Sequence, residues 1–235
     1  MSGSLVSIVV LALLYAARQL ALRKRQLAEL ARLIRDQRAL AMLEIGYEPV
    51  DARWQPYLDG LDVPAGMMAL GDFVEVPAGR SASGAMRGIA DRDGKTFGWV
   101  AKAGPKGVFV MMLVSASDTD TYLTVLSPKS GGLIASPPFV HREHIPVLGG
   151  VGAALTRHRD RISQVTGLAS VTTLDELQAQ LRQVRGRSRE WRAAQAPATL
   201  LEADLRSILG ARYDQLGEKL AAKLGPEIPQ AKVVS

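Results

Sequence analysis

The chain opens MSGSLVSIVVLALLYAARQLALRKRQ, and this stretch constrains the rest of the protein more than any other. Leu5 to Ala17 carries no charge, and the apolar run extends to Leu22 with Arg18 and Gln19 as its interruptions. Wound as a helix at about 1.5 Å per residue, Leu5–Leu22 reaches about 27 Å, close to the ~30 Å hydrocarbon core of a bilayer. Arg18 lies near one end, where its long stem can carry the guanidinium to the interface. A cleaved secretory signal needs positive charge before the apolar run and small residues after it. MSGS supplies no charged side chain, and the run leads into RQLALRKRQ.

Basic flanks remain cytoplasmic. Arg18, Arg23, Lys24 and Arg25 all follow the apolar residues. The expectation is therefore a single-pass signal-anchor at residues 1–22 in a bacterial inner (cytoplasmic) membrane. Its N-terminus would lie outside and its C-terminal domain in the cytoplasm. The expected partners are the lipid bilayer, anionic lipid headgroups and a protein partner or second copy of the chain.

The helical period does not stop at the basic flank. Leu13, Leu20, Leu27, Ile34 and Ala41 recur every seven residues, widened by Leu30, Leu33, Leu40 and Leu43. Gly46 and Pro49 are stop signals. Residues 23–45 thus read as a juxtamembrane amphipathic helix, which can pack on the protein's own domain or form a short coiled coil. Residues 46–70 hold three Pro and three Gly and read as an irregular connector, with Trp54 and Tyr57 as its contacts to a core.

Residues 71–146 read as an antiparallel β-meander. AMRGIADRDGKTFGWVAK is strand, turn and strand, with DRDG as turn chemistry, and GVFVMMLVSASDTDTYLTVLS repeats the form. LIASPPFVHREHIP reads as an edge strand broken by Pro137 and Pro138. About three helices are then expected in residues 147–225, packed on the sheet. The first covers Gly150–Ser163. The second opens on the capping box Thr173-Leu-Asp-Glu176, and the third on Thr199-Leu-Leu-Glu202, with Gly210 or Gly217 as a break or bend. Residues 226–235 read as a loose tail. The expected fold class is α+β.

Charge follows this division. The net charge is +4 over residues 1–45, −2 over 46–145 and +4 over 146–235. Basic residues gather beside the apolar segment and on one late helix, which suits an anionic membrane surface. Five arginines, Arg182, Arg185, Arg187, Arg189 and Arg192, form the second candidate contact surface, for lipid or for acidic partner residues. Few aromatic residues lie among them, so nucleic acid is not an expected partner.

The absence of cysteine excludes disulfides, thiolate nucleophiles and Cys-based zinc sites. Gly94-Lys-Thr96 ends like a phosphate-binding loop, but the glycine required five residues earlier is Ile89. Gly79-Arg-Ser-Ala-Ser-Gly84 has Ser83 where a nucleophile elbow needs glycine. His141-Arg-Glu-His144 is the most suggestive polar cluster. Its His residues are spaced i, i+3 between prolines, whereas the zinc-protease signature needs i, i+4 on a helix. His141, Glu143 and His144 are thus weak metal candidates, and no cofactor is expected. Asp91/Asp93 and Asp118/Asp120 fall in turns, where Asp bonds its own backbone.

Together these features favour a membrane-anchored, non-enzymatic scaffold or interaction module. One alternative is a membrane-bound enzyme using the Ser136–His144 edge and the Gly79–Gly84 loop. A second is a nucleic-acid binder acting through the Arg-rich helix 180–192.

Overall fold

The computed structural model describes residues 24–82, 84–102, 107–128 and 134–226. The anchor expected at 1–22, with Arg18 and Arg23, and all but the first residue of the tail expected at 226–235 lie outside the described residues. Among the described residues the chain is α+β. Residues 24–40 form helix α1. Strands β1 (Ile45–Pro49) and β2 (Met67–Pro77) flank a short helix, α2 (Gln55–Leu58). Then come β3 (Ala85–Asp91), β4 (Phe97–Lys102), β5 (Phe109–Ala116), β6 (Thr121–Ser127) and β7 (Val140–Pro146). Four helices follow: α3 (Gly150–Ile162), α4 (Leu174–Ala194), α5 (Pro197–Leu209) and α6 (Tyr213–Leu224).

The seven strands form one sheet in chain order. The first six are antiparallel neighbours, but β7 lies parallel to β6, with Thr121 opposite Val140 and Ser127 opposite Pro146. The sheet is therefore mixed, which corrects the expected antiparallel meander. A parallel partner requires a crossover of about a dozen residues rather than a hairpin, and residues 128–139 supply that length in the sequence. The Pro137-Pro138 pair sits at the end of this crossover, immediately before the strand it was expected to break.

Residue alternation along the strands builds two cores, one on each face. On one face Val74, Ile89, Val100, Met111, Leu113 and Leu126 pack with Leu58, Leu61, Ala154 and Leu155, beneath α2 and α3. Trp54 and Tyr57 lie against this cluster. On the other face Phe73, Met86, Phe97 and Val114 meet Val171, Leu177, Leu181 and Val184, most of them from α4. Gly71 and Gly88 are cross-strand partners directly below α4. A Cβ at Gly88 would come within 2.7 Å of Leu177 Cδ2, and one at Gly71 within 3.0 Å of Leu174 Cδ2. Two adjacent glycines thus let the first turn of α4 settle onto the strands.

A third cluster contains no strand. Ala31 and Ile34 of α1 pack with Leu201, Leu205 and Leu209 of α5 and with Leu220 of α6, and Leu27 and Leu30 lie against them. The apolar stripe on α1 is used within the chain itself, while Leu33 and Leu40 remain exposed.

Local chemistry explains the helix ends, with two departures from expectation. Thr173 caps α4 in a reciprocal box with Glu176. Thr199 lies inside the first turn of α5, whose cap is Ala196 and whose first residue is Pro197. Pro at the first helical position has no N–H to leave unsatisfied, so it initiates the helix ahead of the second box. Gly210, with φ of 52°, ends α5 and separates it from α6, so the last third holds four helices rather than about three. The region 46–70 also contains more structure than a connector: β1, α2 and the first residues of β2.

Candidate functional site

The expected His–Glu–His cluster is divided by the strand that carries it. On β7, His141 and Glu143 point to the α3 side. His141 Nε2 lies 2.7 Å from Asp120 Oδ1, its ring stacks on Tyr122 at 4.9 Å, and Glu143 accepts from Arg157. His144 points to the opposite face and bonds Ser127 Oγ at 2.9 Å. Among the described residues no group of three or more His, Asp or Glu gathers where it could hold a metal ion. The hydroxyl of Thr119 and then the His141 ring hold the exposed Asp120 carboxyl below its usual range.

His158, which shares the helical spacing of Val151, Ala154, Leu155 and Ile162 and is the third histidine a metal could draw on, sits instead in a buried polar network. It is wholly buried on α3 between β5 and β6, with Nε2 3.0 Å from Ser115 Oγ and Nδ1 2.9 Å from Thr124 Oγ1. Arg161 donates to Thr124 Oγ1, and the Ser115 hydroxyl donates to Lys95 O at 2.6 Å. These bonds fix the proton order. Thr124 donates to Nδ1, and the Nε2 proton goes to Ser115 Oγ. A base activating a serine must accept the serine proton, and here that proton is directed to a backbone carbonyl. Burial, followed by the Arg161 and Arg159 charges, pushes the imidazole pKa down to about 4. The Ser–His pair is thus a neutral, fully bonded strut joining α3 to the sheet.

The arginines of α4 diverge in use. Arg192 is buried and makes a two-point bridge to Asp204 of α5, at 3.0 and 2.6 Å. Arg38 of α1, equally buried, reaches the same carboxylate at 3.2 Å. Ala135 in the crossover donates to Asp204 and accepts from Arg192. One carboxylate therefore gathers α1, α4, α5 and the crossover, and two guanidinium groups share it. Burial pulls the Arg38 pKa down, with Asp204 opposing and Arg192 reinforcing the fall. Arg185 pairs with Glu75 of β2. Arg187 donates to Thr119 O and lies over the Phe139 ring. Arg182 is exposed, bonded to Gln178 and positioned over Tyr47, and Arg189 is half-buried. Lys24 and Arg25, the first described residues of α1, are exposed.

Beside the Asp204 junction lies a cleft of about 370 Å³. Both ends of the sheet reach it, with Ile45, Glu75 and Pro77 from one end and Leu123, Val140 and Arg142 from the other. The sheet therefore curls around α4, which contributes Arg185, Ser188 and Arg192. Helix α1 and the residues after it close one wall with Gln37, Leu40 and Leu43. The periodicity of any one element carries no sign of this site, because five separate stretches of the chain build it, 37–45, 75–77, 123, 134–142 and 185–192.

Comparison with protein-family models, with curated proteins and with solved structures finds no match to this chain.

Proposed function

We propose that this protein is a single-pass, membrane-anchored interaction module, non-enzymatic, whose α+β domain lies on the cytoplasmic face of a bacterial membrane. The observation that carries this reading is the construction of α1. This helix follows the apolar segment directly in sequence. It is built into the domain through Ile34 in an apolar cluster and Arg38 in the Asp204 junction. An anchor attached to such a helix would hold the domain at the bilayer without a flexible tether. The exposed Lys24 and Arg25 lie where anionic headgroups would meet them. No helix among the described residues is long and apolar enough to cross a membrane, and the anchor of this reading is residues 1–22, outside the described residues.

Carbonate extraction of membranes from cells expressing the full chain tests the anchor, and protease protection in intact spheroplasts tests the orientation. The expected result is retention in the pellet with the domain protected until the membrane is breached. Release into the soluble fraction would overturn the anchor, and digestion in intact spheroplasts would overturn the cytoplasmic placement.

A further inference from the structure

The cleft between α1, α4 and the curled sheet has a mixed chemistry that nothing described above uses. Its apolar wall is Leu40, Leu43, Ile45, Leu123, Ile134 and Val140. Its charged wall is Arg142, Arg185 and Arg192, with Glu75 as the acidic residue of the lining. Arg38 lies behind it, on the Asp204 carboxylate that Arg192 also holds. Among the described residues Arg38, Arg185 and Arg192 pair with these two carboxylates, and Arg142 pairs with neither. Burying charge without full compensation is unfavourable unless something else completes the set.

Arg142 is the clearest case. Among the described residues its hydrogen-bond partner is the Ile134 carbonyl, at 3.2 Å, and no carboxylate lies within ion-pair distance. Burial alone lowers its pKa. Two further atoms of the lining are buried without a hydrogen-bond partner among the described residues, the donor Arg192 Nε and the acceptor Gln37 Oε1. A guanidinium has a planar fork of donors that matches carboxylate and phosphate oxygens. The volume falls in the range of small-molecule sites, which are mostly apolar with a few placed polar groups.

We propose that this cleft binds an anionic amphiphile, a carboxylate or phosphate head on Arg142 with an acyl chain along Leu40, Leu43, Ile45 and Leu123. Arg142, Arg185 and Arg192 in the lining select against cationic heads. The cleft is built wholly from residues of the folded domain, so the inference stands independently of membrane attachment.

The test uses the full chain in nanodiscs of zwitterionic phosphatidylcholine and a diazirine-bearing dodecanoate as photolabel, with labelled peptides mapped by mass spectrometry. Labels are expected on peptides spanning 40–45, 123 or 134–142. Dodecanoate should compete at least tenfold better than dodecan-1-ol. Arg142→Gln should reduce labelling at these peptides at least tenfold, and Arg142→Lys less. Leu40→Asp, at an exposed position on the rim, provides a second variant that leaves the core intact and should also lose label. Inorganic phosphate should compete poorly. Adding phosphatidylglycerol to the nanodisc distinguishes the source of the head group: competition assigns a bilayer lipid, and its absence a soluble acid. The proposal is overturned if labels fall elsewhere, if the alcohol or inorganic phosphate competes as well as dodecanoate, or if both Arg142→Gln and Leu40→Asp label as the parent does.

Discussion

At the scale of single residues, His158 and Asp204 show two ways of burying polar chemistry. His158 is neutral and has a partner for each ring nitrogen. Its pKa is about 4 in the fold against 6.5 for the free side chain, so the unfolded chain binds the proton first as pH falls. Stability is therefore complete above about pH 6.5 and declines as pH drops towards 4. The linkage amounts to about 2 kcal/mol at pH 5 and about 3 kcal/mol at its limit. Urea denaturation of the full chain at pH 7.5, 6 and 5 should show this decline in the parent and a flatter profile in His158→Gln. Equal slopes in both would remove His158 as the acid-sensitive group. Asp204 instead answers two arginines at once, an arrangement whose fixed geometry comes with the cost of taking charged groups out of water. Neither role is visible in the local sequence. His158 lies on an amphipathic helix among ordinary neighbours, and Arg192 is one of five arginines with the same local surroundings.

At the scale of elements, glycines decide how closely strands and helices approach. Gly98 lies in β4 with φ of 155°, and a Cβ there would stand 1.9 Å from the carbonyl oxygen of Met112 on β5. Backbone cannot yield as a side-chain end can. Gly98→Ala should cost more than about 3 kcal/mol, and Gly88→Ala, which meets chiefly the mobile Cδ2 of Leu177, about 1–3 kcal/mol. Thermal unfolding of the two variants side by side checks the order, and a milder effect at Gly98 would contradict it. Much at this scale was legible beforehand. The capping box of α4 and the turn at Asp91–Gly94 follow from residue chemistry that acts over three or four positions. The start of α5 was not legible in the same way, because Pro197 and Thr199 both signal an N-terminus and only one can set it.

At the scale of the whole molecule, three apolar clusters divide the structure into a two-faced sheet and a helical lobe of α1, α5 and α6. The Asp204 junction and the cleft beside it lie where the lobe meets the sheet. Ile34 is 1% exposed at the centre of the lobe. Ile34→Asp should release α1 and lower hydrogen-exchange protection in α5 and α6, while β3, β4 and β5 retain theirs, because contiguous units open with their own free energies. Uniform loss of protection across the sheet would show instead that lobe and sheet unfold as one unit.

The sequence alone determined what depends on neighbours along the chain: the α+β class, the β-rich middle, the helical last third and the heptad stripe on α1. Period, caps and breakers act over a few residues, and they are written where they act. Only the tertiary structure decided what depends on residues far apart. It set β7 parallel to β6, because strand direction follows from the path of the crossover and not from the composition of the strand. It separated His141 and Glu143 from His144, because adjacent positions on a strand face opposite sides. It turned Arg192 inward while Arg182 stayed exposed, because helix packing, and not the charge pattern, selects the buried face. The cleft belongs to this second group, since its charge and its apolar wall exist together only after the sheet has curled around α4.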